Sequence, residues 1–180
     1  TMNGMITTNE NFDCDEAVAR MKNYSVTGVV KKTTCAEKYV LPGDGKKVAL
    51  LDLGAKMNIA RSLNERGCQV TVNPATTAAE EILAENPDGI MLSNGPGDPK
   101  ECTDIITEIR KLYESEVPIF AICLGHQLMA LATGADTHKL KYGHRGGNHP
   151  VKDLETGRVY ISSQNHGYVV DMDTIDPGTA

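Results

Sequence analysis

The chain has 180 residues, of which 18 are basic and 24 acidic, giving a net charge of −6 and a pI near 5.3. An acidic balance argues against a nucleic-acid binder, whose affinity would come from a basic surface. A hydrophobic share of 40% and a charged share of 23% allow a packed core and argue against intrinsic disorder.

Other classes fall away as well. No apolar run approaches the roughly 20 residues of a membrane span. The polar start from Thr1 to Glu10 lacks the basic-then-apolar layout of a signal peptide. Aromatic residues make up only 4% and tryptophan is absent, so stacking platforms for bases or sugars are not expected. The cysteines Cys14, Cys35, Cys68, Cys102 and Cys123 are odd in number and contain no CxxC pair. That pattern suggests neither a disulfide framework nor a zinc cage. The expectation is a soluble cytoplasmic protein.

In chain order, Asp15 to Asn23 reads as a short helix with Ala17, Val18 and Met21 on one face. Tyr24 to Val40 is indistinct, and Pro42-Gly43-Asp44-Gly45 is a break. From Lys46 the pattern becomes regular. Val48 to Leu53 is a continuous apolar run, as expected for a strand covered on both faces. Ala55 to Arg66 reads as a helix stopped by Gly67, and Cys68 to Asn73 as a second strand. Thr77-Ala78-Ala79-Glu80 has capping-box spacing and opens a helix through Glu85. Ile90 to Ser93 is a third strand. Asp98 then caps a helix with Pro99 in its first turn and an apolar stripe of Ile105, Ile106, Ile109 and Leu112. Val117 to Ile122 is a fourth strand, followed by a helix from Leu124 to Thr133 that stops at Gly134.

Strand and helix alternate with short connections, which predicts an α/β fold: an open, mostly parallel sheet with helices on both faces. Beyond Gly134, His138 to Tyr142, Arg158 to Ser162 and Gln164 to Asp171 read as short strands joined by glycine-rich turns. Antiparallel additions at the edge of the sheet are expected there.

In open α/β sheets ligands bind at the carboxyl ends of the strands. Two loops lie at such ends. In Ile122-Cys123-Leu124-Gly125 a cysteine stands between a buried strand and a helix. That is the layout of a nucleophile elbow. A thiol at a helix N-terminus sees the positive end of the dipole, which favours the thiolate, and the following N–H of Leu124 can bind an oxyanion. A buried structural cysteine ending a strand fits the same spacing equally well. The second loop, Ser93 to Lys100, has Gly95 and Gly97, which let backbone N–H groups approach a ligand. By itself it also reads as a plain strand-to-helix turn. Gly43-Asp44-Gly45-Lys46-Lys47 lacks the spacing of a phosphate-binding Walker loop.

Together, SNGPGDP (Ser93–Pro99) and FAICLGHQ (Phe120–Gln127) resemble the class I, triad-type glutamine amidotransferases. GHRGGNHPV (Gly143–Val151) and SQNHGYVVD (Ser163–Asp171) narrow the resemblance to the small, glutamine-hydrolysing subunits of carbamoyl phosphate synthetases. The resemblance covers residue 46 to the end and implies a flavodoxin-like amidotransferase domain over 46–180, lacking its C-terminal part. Residues 1–45 are then a remnant of the amino-terminal domain and linker.

The resemblance implies Cys123 as the nucleophile that forms a γ-glutamyl thioester. It implies a glutamine site built from Gly95, Gly97, Leu124, Gln127, Asn165, Gly167 and Tyr168. Tyr168 stands where phenylalanine is commoner, a change expected to matter little for a packing ring. Ala121 stands where the family usually has glycine. The implied partners are L-glutamine and the large synthetase subunit, on which ATP and magnesium are expected. No cofactor or metal is expected on this chain. The product, carbamoyl phosphate, enters pyrimidine or arginine synthesis.

One departure from the family concerns the base. The catalytic His and Glu lie in an HPE motif beyond SQNHG, and no His-Pro-Glu occurs in these 180 residues. None of His126, His144, His149 and His166 is expected to replace it. His138, His144 and His149 lack the spacing of metal ligands. Thr137 to Lys152 carries Lys139, Lys141, Arg145 and Lys152 and no acid. It reads first as a solvated edge, and second as a contact for the large subunit. The rival functional reading is an inactive glutamine-binding or subunit-interaction module of the same fold.

Overall fold

The computed structural model describes residues 3–178, so Thr1 of the polar start and Ala180 lie outside the described residues. The elements in order are α1 (Cys14–Asn23), α2 (Val29–Thr33), β1 (Tyr39–Leu41), β2 (Lys47–Asp52), α3 (Met57–Asn64), β3 (Gln69–Pro74), α4 (Ala79–Leu83), β4 (Gly89–Leu92), α5 (Thr103–Glu114), β5 (Ile119–Ala121), α6 (Leu124–Ala132), β6 (Asp136–Lys152) and β7 (Val159–Asp171). The strands form a five-stranded sheet of order β1-β3-β2-β4-β5 and a separate β6-β7 pair. Within the larger sheet all pairings are parallel except β1 against β3.

The apolar run in β2 is continuous because both faces of the strand are covered. Ala49, Leu51 and the following Leu53 point to one cluster with Ile82, Ile105, Ile109, Leu112 and Leu128 from α4, α5 and α6. Leu50 points the other way, to Ala60 of α3 and to Val70, Val72 and Met91. Each such aliphatic side chain contributes about 1.5–3 kcal/mol when fully buried. The predicted arrangement of helices on both faces of a mostly parallel sheet is therefore present.

The indistinct stretch before residue 42 holds two short elements. Val30 of α2 is buried in the first cluster, and β1 pairs with β3 from Tyr39↔Val72 to Leu41↔Val70. Five and three residues are too few to display a period, so tertiary contacts alone define them.

Two helix starts differ from expectation. The capping box at Thr77 does not form: α4 begins at Ala79, its N-cap is Ala78, and no side chain of its own caps it. The Glu108 carboxylate of α5 instead accepts the Ala79 N–H at 2.7 Å. Asp98 does cap a turn, accepting the Lys100 N–H at 3.0 Å, but that turn is a 3-10 segment over Pro99–Glu101, and α5 starts only at Thr103.

The C-terminal strands are antiparallel, as expected, but they do not extend the larger sheet. They form one long ribbon, paired from Asp136↔Asp171 to Lys152↔Val159. The register shifts between Lys139 and His144 and again between Gly146 and His149. The glycine-rich stretches that look like breaks in the sequence are irregularities inside continuous strands. At Gly143, φ is 73° and a Cβ would lie 2.6 Å from the His166 carbonyl oxygen, so the close crossing of the strands requires glycine.

The tie between α4 and α5 yields a pH-dependent expectation. The Glu108 carboxyl is held below the usual range, first by the Ala79 N–H and then by Lys111. A depressed carboxylate stabilises the fold above its unfolded value, about 4.3, and loses that contribution as pH falls through the folded value. Glu108→Ala should lower the thermal midpoint at pH 7, with the gap to the parent closing at acid pH below about 4.

Candidate active site

The carboxyl ends of β2, β4 and β5 lie side by side, and the loops that leave them are tied to one another. Cys123 sits between β5 and α6 with φ 52° and ψ −107°. Left-handed φ is rare for a non-glycine residue and marks a strained position. Three contacts hold it there. The Ile122 N–H donates to the Leu92 carbonyl at 3.0 Å, and the Gly125 N–H to the Ser93 carbonyl at 3.1 Å. Gly125 also packs so closely on Leu92 that a Cβ would stand 2.5 Å from its carbonyl oxygen. Cys123 is half-buried. Leu124 opens α6, so its N–H is among those without an acceptor inside the helix.

The loop after β4 is equally constrained. Ser93 is fully buried; its Oγ accepts the Leu53 N–H at 2.9 Å and donates to the Asn94 carbonyl at 2.8 Å. Asn94 Oδ1 accepts the Lys56 N–H at 3.0 Å. Gly95 lies against the Leu53 carbonyl and the Leu124 side chain. Beneath these, Asp52 accepts the N–H groups of Cys35 at 2.7 Å, Gly54 at 2.9 Å and Ala55 at 2.6 Å. Gly97 faces Val29 of α2, and the Gly28 N–H donates to Glu101 at 3.1 Å.

Gln127 lies one turn beyond Cys123 and is 6% exposed. Its Nε2 donates to the Tyr168 carbonyl at 2.7 Å, which ties α6 to β7. Burial first, and the charge of the Asp98 carboxylate second, push the Tyr168 phenol above its usual value. A chain of contacts thus joins Gly95, Leu124, Gln127 and Tyr168 to the elbow, with Gly97 next to Asp98. Gly167 directly precedes Tyr168 in β7. Asn165 is engaged differently: its Oδ1 accepts from Arg145 Nη1 at 2.6 Å across the ribbon.

Among the described residues no histidine is hydrogen-bonded to Cys123. His126 is exposed on α6. His144, His149 and His166 cluster on the ribbon, with ring centroids 5.3 and 4.9 Å apart. His166 sits 3.0 Å from Gln164 Oε1, 3.2 Å from His144 and 2.9 Å from the Tyr168 carbonyl. His138 lies 4.0 Å from Asp171. Of the stretch Thr137 to Lys152, Lys139, Lys141, Arg145 and Lys152 are all exposed on β6.

Sequence reasoning missed Asp52, Ser93 and Asn94 as organisers of the site. The available signal was a polar residue at the carboxyl end of each buried strand, where an apolar run stops.

The class I glutamine amidotransferase model matches residues 49–180, and the chain belongs to that family. The fold agrees: a glutamine amidotransferase from Thermotoga maritima superposes with a TM-score of 0.55 at 17% identity, over 70% of this chain and 62% of that one. Within the family, the chain is similar to carbamoyl phosphate synthase small chains. That of Listeria monocytogenes serovar 1/2a is 51% identical over 176 residues, 97% of this chain and 48% of the relative. That of Listeria monocytogenes serotype 4b is 58% identical over 146 residues, 81% of this chain and 40% of the relative. The chain spans about half the length of the curated relatives it matches. No described helix is long and apolar enough to cross a membrane.

The strain at Cys123 is measurable. Cys123→Gly should raise the stability to urea by about 1 kcal/mol, since glycine adopts positive φ without the side-chain penalty. An unchanged or lowered urea midpoint would show that the elbow stores no strain.

Proposed function

We propose that this chain is the glutamine-hydrolysing part of a carbamoyl phosphate synthase small chain. The observation that carries the reading is Cys123, held at φ 52° on the turn between β5 and α6. In this reading the elbow presents the sulfur at the ends of the strands, with the Leu124 N–H one residue on. The identity to small chains over 97% of the residues gives further support.

In this reading the Cys123 thiolate attacks the γ-carboxamide carbon of glutamine. A C–S bond forms and the carbonyl oxygen becomes an oxyanion, stabilised by the Leu124 N–H and the backbone of Gly95 and Gly97. Collapse breaks the C–N bond, and the leaving nitrogen takes a proton to depart as ammonia. Water then cleaves the thioester to glutamate and regenerates the thiol. Gln127, Asn165, Gly167 and Tyr168 hold the glutamine. General acid–base help is worth about a hundred- to ten-thousandfold. The residue that gives it in the family, the histidine of HPE, is not among these 180.

The ammonia goes to the large synthetase subunit, which carries the ATP and magnesium. The carbamoyl phosphate made there enters pyrimidine or arginine synthesis, in the cytoplasm. Residues 46–180 form the amidotransferase domain, and residues 1–45 belong to the amino-terminal part of the small chain. The second reading, a glutamine-binding module without catalysis, is favoured by one observation: among the described residues no histidine meets Cys123.

Two outcomes are expected. The 180-residue chain alone should hydrolyse glutamine at least about a hundredfold more slowly than a small chain carrying the HPE segment. Equal turnover, measured as glutamate released, would refute the assignment of the base. Second, a chloroketone analogue of glutamine should alkylate Cys123 before the other cysteines, and free glutamine should protect it. Burial raises the thiols of Cys35 and Cys102 above their usual value, which makes them poor competitors. Peptide mapping that finds Cys68 or Cys102 labelled first would overturn the choice of nucleophile.

A further inference from the structure

Residues 28–35 lie ahead of Lys46, where the regular βα pattern begins, yet they are fastened to the rim of the site at both ends and in the middle. At one end the Gly28 N–H donates to the Glu101 carboxylate at 3.1 Å. At the other, Thr34 Oγ1 accepts the Ala75 N–H at 2.8 Å and the Cys35 N–H donates to Asp52 at 2.7 Å. The second oxygen of Asp52 accepts the N–H groups of Gly54 and Ala55, so one buried carboxylate serves both this segment and the β2 loop. Between the ends, Val30 of α2 is buried in the core cluster that also holds Leu53 and Leu124. Lys31 and Asp104 add an exposed ion pair, and such pairs contribute little.

The segment runs directly against the glycine loop. A Cβ built at Gly54 would lie 2.8 Å from both Pro96 Cδ and Thr33 Oγ1, so the exit of β2, the loop and α2 converge on one point. A Cβ built at Gly97 would stand 3.7 Å from Val29 Cβ, an ordinary packing distance. A cavity of about 30 Å³ remains between α2 and the loop, lined in part by Val29, Pro96, Gly97, Cys102 and Ile105. The loop therefore has room to shift once the Val29 side chain is withdrawn. Its two glycines resist such a shift only weakly. An N–H that stabilises an oxyanion must be aimed in advance, because a misplacement of about 1 Å can lower a rate about a hundredfold.

We propose that residues 28–35 form a strap that holds the Gly95–Gly97 loop in place for the oxyanion, which makes Val29 and Glu101 positioning residues for attack by Cys123. Val29 acts through Gly97, and Glu101 acts through Gly28. The inference rests on the glutamine hydrolysis proposed above. It departs from the expectation of an amidotransferase domain that begins at residue 46, because part of the preceding segment works in the site.

The experiment uses the 180-residue chain, a double variant carrying Val29→Ala and Glu101→Ala, and the single variant Val29→Ile. The substrate is the γ-p-nitrophenyl ester of glutamate. Cys123 attacks its γ-carbonyl carbon, a C–S bond forms through an oxyanion, and the C–O bond breaks to release nitrophenolate. That leaving group departs without a proton, so the histidine of HPE is not needed. The limiting rate of the nitrophenolate burst should fall about tenfold in the double variant, less than the roughly hundredfold of a lost oxyanion donor, with half-saturation unchanged. Val29→Ile, which keeps the branched Cβ against Gly97, should retain the burst. Iodoacetamide alkylates a thiol by displacing iodide with no oxyanion, and should label Cys123 equally fast in all three chains. A parent-like burst in the double variant, or a parallel loss with iodoacetamide, would overturn the strap. Backbone nitrogen relaxation reads the loop without any substrate. The order parameter of Gly97 should fall from the rigid range, about 0.85, to below about 0.6 in the double variant; an unchanged value would also overturn the strap. If the ester fails to acylate Cys123 in the parent while Gly97 loosens in the double variant, the strap stands and the proposed hydrolysis falls.

Discussion

The left-handed backbone of Cys123 is the constraint on which the rest of the site depends. A side chain at φ 52° is tolerated only where its neighbours leave no alternative. Here the neighbours are the end of β4 and the start of α6. Gly125 presses on the Leu92 carbonyl, and the N–H groups of Ile122 and Gly125 bond to Leu92 and Ser93. The strand below is locked by burial on both faces. The sharp turn is therefore a consequence of sheet and helix packing, and the placement of the half-buried Cys123 is a consequence of the turn.

From that point the constraint spreads outward by hydrogen bonds from polar residues at strand ends. Ser93 joins the β4 loop to the β2 loop through Leu53, and Asn94 extends the link to Lys56. Asp52 satisfies three backbone N–H groups, one of them from the segment ahead of β1. Buried polar groups must be paired, so each of these residues also dictates where its partner loop runs. The result is a rigid rim of three loops on a hydrophobic sheet, the support that a preorganised site requires.

The ribbon obeys different rules. Its strands cover no large core, and most of β6 is exposed. What fixes its base are single contacts: Gln127 to the Tyr168 carbonyl and Lys100 to Asp136. Asn165, which the family resemblance assigns to glutamine, bonds to Arg145 across the ribbon. The proposed glutamine-site residues on β7 thus depend on a few polar ties, whereas those on the elbow depend on close packing.

Much of this was legible in the sequence because it is periodic or local. The βα alternation from Lys46 onward and the two-sided burial of β2 follow from residue spacing, and the same spacing puts Cys123 at a strand-to-helix junction. The motifs around Cys123 and in Ser163 to Asp171 carried the family. Other features have no local signature. The elements α2 and β1 are too short to show a period. Thr77 yielded the capping of α4 to Glu108, a residue on another helix that reaches the same N–H at 2.7 Å. The glycines of Gly143 to Gly147 read as turns, yet they lie within a strand, and at Gly143 the partner strand crosses too closely for a side chain. Local spacing determines which elements can form and where a nucleophile can stand. Only tertiary packing decides which distant groups meet, since a hydrogen bond between residues 29 or 41 positions apart leaves no trace in either neighbourhood.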